Sequence, residues 1–259
     1  MKLPEPKFAI EYKDDNGHFY GVGGLWFKSV TYYCGLLGDS NKSNALIGWA
    51  KKLALTTAID GIRSRLGQQV EITEGFLQEV YKAGWAKPKQ ELEKAGDVGT
   101  RAHAAIDAYI TGGQPDLSDP IVRQVFENYQ AWTKEHGLTI ISGDVAVVSP
   151  EYGFGGRVDA IAHDKKYRLI VLDWKTSNSI TEKHNGEDVI RAGYAMQVSA
   201  YCLGVSSTYG VPMPKTAWVV RFGKDKPDFG PIRVRGLRHW LKLFLAVRKT
   251  DDLLERARA

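Results

Sequence analysis

Cysteine is scarce in this chain. Only Cys34 and Cys202 occur in 259 residues, and neither has a second Cys or a His at metal-ligand spacing, which argues against a zinc site or an iron–sulfur cluster. Two buried thiols in a reducing compartment are the reading of both. Long apolar runs are absent, and the opening MKLPEPKFAIEYKDDNG has neither a basic-then-apolar signal pattern nor an Arg-rich amphipathic presequence. A soluble cytoplasmic protein without a membrane partner is therefore expected. There is no internal repeat, low-complexity segment or dividing linker, so a single domain over residues 1–259 is expected. Charge of neither sign dominates: 35 Lys plus Arg against 30 Asp plus Glu leave a formal +5 and a pI near 9.0. That mild excess suits a polyanionic partner without identifying one.

What is present divides into two textures. Phe8 to Tyr12 and His18 to Val22 are β-like runs around Asn16-Gly17, a pair that supplies the positive φ of a hairpin turn. Helical periodicity follows at Ser43 to Ile59 and at Thr73 to Ala83 before Pro88, and Gly96 to Gly99 are expected to break it. A further helix is expected over Thr100 to Ile110. Another begins at Asp119-Pro120 and is closed by Gly137, with Ile121, Val125, Tyr129 and Trp132 on its apolar face. From Leu138 strands take over: Thr139 to Val148, Gly156 to Ala162, Arg168 to Trp174, Ala217 to Phe222 and a last one near Ile232 to Arg235. Helices are expected from Asp188 to Leu203 and at the C-terminus. The fold class is α/β, a mixed sheet of about five strands flanked by helices. Residues 138–259 form its core, and the mainly helical residues 1–137 a wall or arch.

The chemistry concentrates in GGRVDAIAHDKKYRLIVLDWKTS, residues 155–177, which reads as a hairpin. Alternation puts Asp173 and Lys175 on one face and turns Trp174 to the other. A connection of about three residues centred on Lys165 to Tyr167 sets Asp159 opposite Asp173, on that same face. Two opposed carboxylates repel, and beside Val158, Val171 and Leu172 they make a poor structural pair. A hard divalent cation, Mg²⁺ or Mn²⁺, resolves the conflict and suits phosphodiester hydrolysis. Lys175 is then placed to orient an attacking water or stabilise developing negative charge. A solvated Asp–Lys ladder is the alternative. Gln197 and Tyr201, four apart on a helix, share a face and suit a polar site, or else belong to an ordinary amphipathic helix.

Taken together, Gly99-x-x-x-His103, Gly156-x-x-Asp159, Asp173-Trp174-Lys175-Thr176-Ser177 and Gln197-x-x-x-Tyr201 resemble the RecB-type branch of the PD-(D/E)XK nucleases. Within it, Ser29-Val30-Thr31, VGTRAHAAIDAYITGG, LDWKTS and QVSAY are similar to the mitochondrial genome maintenance exonucleases and their phage and bacterial relatives. The resemblance implies a restriction-endonuclease-like core with Asp159, Asp173 and Lys175 catalytic. It adds His103 and Trp174 to the metal residues, and makes Gln197 and Tyr201 support the lysine or the DNA. Ser29, Thr31, Thr176 and Ser177 are its DNA-side candidates. The implied activity is an exonuclease on single-stranded or flapped DNA with a free end, in a bacterial or phage setting, with a helicase or recombinase partner left open.

Residue by residue the alternatives stay open. His103 lies near the apolar face of Ile106 and Ile110, where a lone His is commonly a core residue; as a ligand it would tilt the metal towards Mn²⁺. Glu151 is either a further acid ligand or a loop residue. Arg238, Lys242, Lys249 and Arg256 fall within roughly 40° on the C-terminal helix, either tracking phosphates or facing solvent. Phe19, Tyr20, Trp26, Phe27, Tyr32 and Tyr33 are base-stacking candidates or core.

Overall fold

The β-rich runs of the second half pair into one sheet because their faces are apolar on both sides, a pattern that requires cover above and below. The computed structural model describes residues 2–15, 17–37, 40–68, 71–177 and 179–258. In chain order its elements are β1 (Glu11–Asp14), β2 (His18–Val22), β3 (Leu25–Lys28), α1 (Val30–Leu36), α2 (Ser40–Arg63), α3 (Glu74–Ile110), α4 (Pro120–His136) and β4 (Thr139–Ser149). There follow β5 (Phe154–His163), β6 (Leu169–Lys175), β7 (Thr181–His184), β8 (Glu187–Ile190), α5 (Ala192–Tyr209), β9 (Thr216–Phe222), β10 (Phe229–Arg233) and α6 (Leu237–Arg258). The chain forms two compact units, residues 38–100 and the remainder.

In the larger unit the five-stranded sheet runs β10-β9-β6-β5-β4, with β6 and β9 parallel and the other pairs antiparallel. It is thus the mixed α/β sheet expected, with helices on both faces. On one face Val158, Ile161, Val171 and Val219 pack with Val198 and Val205 of α5 and Phe244 of α6. On the other, Ala160, Ala162, Leu172, Trp174 and Phe222 meet Tyr129 and Trp132 of α4 and Ile106 of α3. The ends of α4 follow the sequence: Asp119 accepts from Ile121 N at 2.7 Å, Pro120 needs no partner for its nitrogen, and Gly137 closes the helix at φ +57. The N-terminal strands form a separate sheet, β1-β2-β3. Gly17 of its first turn has φ +145, whereas Asn16 lies outside the described residues.

Three expectations are corrected. Helix α3 is one 37-residue helix, unbroken at Pro88 or Gly96 to Gly99. Each interruption costs only one bond or about 1 kcal/mol of propensity, and Lys87–Glu91 at 2.8 Å and the Thr100 hydroxyl on Gly96 O at 3.2 Å support the turns between. Helix α5 starts at Ala192 because residues 187–190 are spent in the β7–β8 hairpin, whose Asn185 and Gly186 sit at φ +50 and +85. The last strand lies three residues earlier at its start than expected, at Phe229, with Pro231 tolerated on the sheet edge. Within the smaller unit α2 and α3 pack closely at Gly84, where a methyl group would sit 2.8 Å from Ala54 O.

Gly156 shows how the sheet admits the site. A Cβ there would lie 2.6 Å from Tyr201 Cε1, so only glycine lets that ring lie flat on β5. We expect Gly156→Ala to lower stability by about 1–3 kcal/mol, read as a fall in melting temperature, and Gly156→Ala/Tyr201→Ala to recover part of the loss relative to Tyr201→Ala alone. Additive losses would mean that the ring and the glycine are not coupled.

Candidate active site

Strands β5 and β6 pair in the expected register, Ala160 with Leu172 and Ala162 with Ile170, and the ladder stops one step short of Asp159 and Asp173. There a side chain replaces the backbone. Asp159 Oδ2 accepts from Trp174 N at 2.6 Å, while its Oδ1 lies 3.2 Å from His103 Nδ1 of α3. On its other side, the β4–β5 ladder pairs Gly143 with Ala160 and Val145 with Val158, and skips Asp144 and Asp159; Asp144 is left-handed at φ +46. The register is the same on both sides of this gap, the ladder's shift lying between Ile140 and Ser142, yet side-chain alternation breaks here. Val158 and Ile161, three apart, both reach the same core.

Asp173 is almost fully buried, and its Oδ2 lies 2.6 Å from Lys175 Nζ. Tyr194 underlies the lysine, its ring centre 5.1 Å from Nζ. Gln197 Nε2 donates to Tyr201 Oη at 3.0 Å, inside the protein. The indole of Trp174 points into the opposite core, against Tyr129 and Trp132. Only its main chain is therefore available to the site.

The charges are unequal. Burial raises the Asp173 carboxyl to about 6, with Asp159 adding to the effect and Lys175 opposing it. Burial also pushes Asp159 up, but His103, Lys175 and the Trp174 N–H hold it below the ordinary carboxylate range. For His103 and Lys175 burial acts downward and is outweighed by the two carboxylates, so both are raised. Cys34 lies close enough to feel Asp173 and Lys175, and burial drives its thiol up to about 12. It is an inert neighbour.

Two neighbouring carboxylates, of which Asp159 raises Asp173, against a single lysine and a histidine, fit a cation. Among the described residues no three His, Cys, Asp or Glu side chains stand together as a ligand set. The residues thus suit an ion that takes one or two carboxylates and fills its other positions with water and phosphate, the habit of Mg²⁺ and Mn²⁺. His103, whose Nδ1 faces Asp159, would join them only as a neutral imidazole.

The remaining candidates scatter. Ser29 caps α1, accepting from Tyr32 N at 3.1 Å, and its hydroxyl pairs with that of Thr31 at 2.9 Å. Its backbone bridges to Gly155, which ties α1 to the start of β5. Thr176 follows the lysine, and Ser177 donates to Ser179 O at 3.1 Å beside a cleft of 320 Å³ lined by Arg221, Lys224 and Asp228. Arg238, Lys242 and Lys249 are exposed on α6, whereas Arg256 pairs with Asp252 at 3.2 Å. Glu151 is exposed in a turn. Tyr20 and Tyr33 are core, while Trp26 and Tyr32 are exposed and Phe19 and Phe27 half-buried. The sequence reading missed Tyr194; its three-residue spacing before Gln197 on an otherwise apolar helix was the available signal.

A family model for the PD-(D/E)XK nuclease superfamily matches residues 121–257, more than half of the chain. The segment takes in Asp159, Asp173, Lys175, Gln197 and Tyr201 and excludes His103. The chain belongs to this nuclease superfamily, whose members use divalent metal ions. No curated protein sequence matches it. Solved structures give distant similarities. A candidate exonuclease from Eubacterium rectale has TM-score 0.40 and 14% identity over 59% of this chain and 68% of that one. An alkaline exonuclease from Laribacter hongkongensis has TM-score 0.31 and 14% identity over 64% and 90%. The protein SSO0001, at TM-score 0.30 and 17% identity, is matched over 50% of this chain, which spans only 56% of that protein's length. No helix among the described residues is long and apolar enough to cross a membrane.

The raised Asp173 carboxyl sets a pH dependence. A proton on Asp173 competes with a cation, so binding should strengthen as pH rises through about 6. Millimolar Mn²⁺ is expected to raise the melting temperature at about pH 8 and to leave it unchanged at about pH 5, and Asp173→Asn should remove the effect at either pH. Equal stabilisation at both pH values would place the bound ion elsewhere.

Proposed function

We propose that the protein is a metal-dependent deoxyribonuclease that degrades DNA from free ends and prefers single strands or flaps. The observation that carries the nuclease reading is the pair Asp159 and Asp173 with Lys175 at the frayed end of β5 and β6, in a chain of the PD-(D/E)XK superfamily. A divalent cation held there would polarise the scissile phosphate and lower the pKa of a bound water. Asp159, kept ionised by His103 and Lys175, is the ready ligand; Asp173 becomes one as it loses its proton. The Trp174 N–H fixes the rotamer of Asp159. Lys175, held as an ammonium by both aspartates, donates to the phosphate oxygens or to the attacking water and stabilises the growing negative charge. Gln197 and Tyr201 hold one another beneath this layer and orient it.

The preference for free single-stranded ends rests on the similarity of VGTRAHAAIDAYITGG, LDWKTS and QVSAY to exonucleases with that habit. End-labelled linear single strands, blunt duplexes and closed circular single strands, with Mg²⁺ or Mn²⁺, test it directly. Linear strands and flaps should be degraded, duplexes slowly, and circles should survive; efficient cutting of circles would replace exonuclease with endonuclease. Lys175→Ala and Asp173→Asn should each lower turnover by roughly 10³-fold or more while DNA affinity changes little. His103→Ala should cost less and be partly rescued by excess Mn²⁺. Near-wild-type turnover in Lys175→Ala would remove the lysine from the reaction.

A further inference from the structure

A large cleft lies by the start of β9 and the N-terminus of α6. It measures 1160 Å³ and is bordered by Lys215, Arg233, Arg235, Arg238 and His239, with Pro231 among its apolar residues and no Asp or Glu in its lining. Four cations around one concavity repel one another, and folded proteins ordinarily interleave carboxylates to relieve this, as Arg221 with Asp228 and Lys28 with Asp251 do here. Among the described residues no carboxylate pairs with Lys215, Arg233, Arg235 or Arg238. The cleft also takes in the first turn of the 22-residue α6, whose dipole adds partial positive charge at that end. Polyanion binding resolves such an arrangement.

The cleft is offset from the aspartates. Arg233 pairs with Trp218, which lies beside Leu172, and so stands two strands across from β6 and one residue along from Asp173; Thr216, next to Lys215, lies beside Ile170, three residues from Asp173. At about 4.8 Å between strands and 3.3 Å per residue, these cations lie roughly 10–14 Å from Asp173. At 3.4 Å per nucleotide a strand needs about four or five nucleotides to cover that distance.

We propose that this cleft binds phosphates of the nucleic-acid strand at a distance from the scissile bond, so that the enzyme holds its substrate at two points. The inference rests on the nuclease reading above. Its shared chemistry is the phosphate ester, carried by a strand or by a free nucleotide, and the strand is favoured because four cations spread around an open cleft match several phosphates in a row.

The test compares the wild type with Lys215→Ala/Arg233→Ala/Arg235→Ala. Fluorescein-labelled dT20 and dT4 are bound without divalent metal, followed by anisotropy, and cleaved with Mn²⁺. For dT20 the variant should lose about tenfold in affinity and in KM, with kcat unchanged, and the slope of log K against log salt should fall by about 2, at about 0.7 per lost single-strand phosphate contact. For dT4 the two proteins should be alike. Arg233→Lys/Arg235→Lys should retain dT20 affinity, and circular dichroism melts should match throughout. Equal dT20 affinity and salt slope in wild type and triple variant would overturn the proposal. So would loss of dTMP or nucleoside triphosphate binding alone, which would mark a free-nucleotide site. A wild type that binds dT20 through these residues but cuts no DNA would instead refute the nuclease reading.

Discussion

The point on which the site depends is the single hydrogen bond from Trp174 N to Asp159 Oδ2, made where the β5–β6 ladder gives out. A sheet whose strands continued would have used that N–H for a backbone carbonyl. By ending the ladder on a carboxylate, the fold fixes one acid against the chain that carries Asp173 and Lys175 and leaves room for nothing apolar between them. The broken alternation at Val158 to Ile161 and the left-handed Asp144 belong to the same local break. Irregular backbone of this kind is a cost that a purely structural sheet has no reason to bear.

Around that break the surroundings are organised to keep two like charges close. The carboxylates share Lys175 and His103, with the lysine ammonium 2.6 Å from Asp173 Oδ2 and the imidazole 3.2 Å from Asp159 Oδ1. Replacing the cluster with apolar residues would give a better core. Covering both sheet faces with helices leaves the polar groups at the point where β5 and β6 part. The cations of the α6 cleft lie around the start of β9 and the end of β10.

Much of this was legible from residue order. The alternation of LDWKTS separated Asp173 and Lys175 from Trp174, and the short connection centred on Lys165 to Tyr167 set the register that Ala160–Leu172 and Ala162–Ile170 display. Asp119-Pro120 and Gly137 bounded α4 because capping is local chemistry. The misses have physical causes. Pro88 and two glycines spoke against a helix that ion pairs along its own surface sustain. Asn185-Gly186, a two-residue turn signal with positive φ at both positions, was passed over in favour of an early start to α5. Strand β3 and helix α1 are too short for periodicity to register. The bond from Trp174 N to Asp159 was invisible because alternation assigns side chains to faces but does not say where a ladder ends.

The central claim is that Asp159 and Asp173 are brought together to share a divalent cation. Anomalous diffraction from crystals soaked in Mn²⁺ at about pH 8, where Asp173 is ionised, addresses it without reference to any substrate. The account predicts a manganese peak within coordination distance, about 2.2 Å, of a carboxylate oxygen from each aspartate, absent from Asp173→Asn crystals. Manganese bound only at other carboxylates, with Asp173 still paired to Lys175 alone, would contradict it.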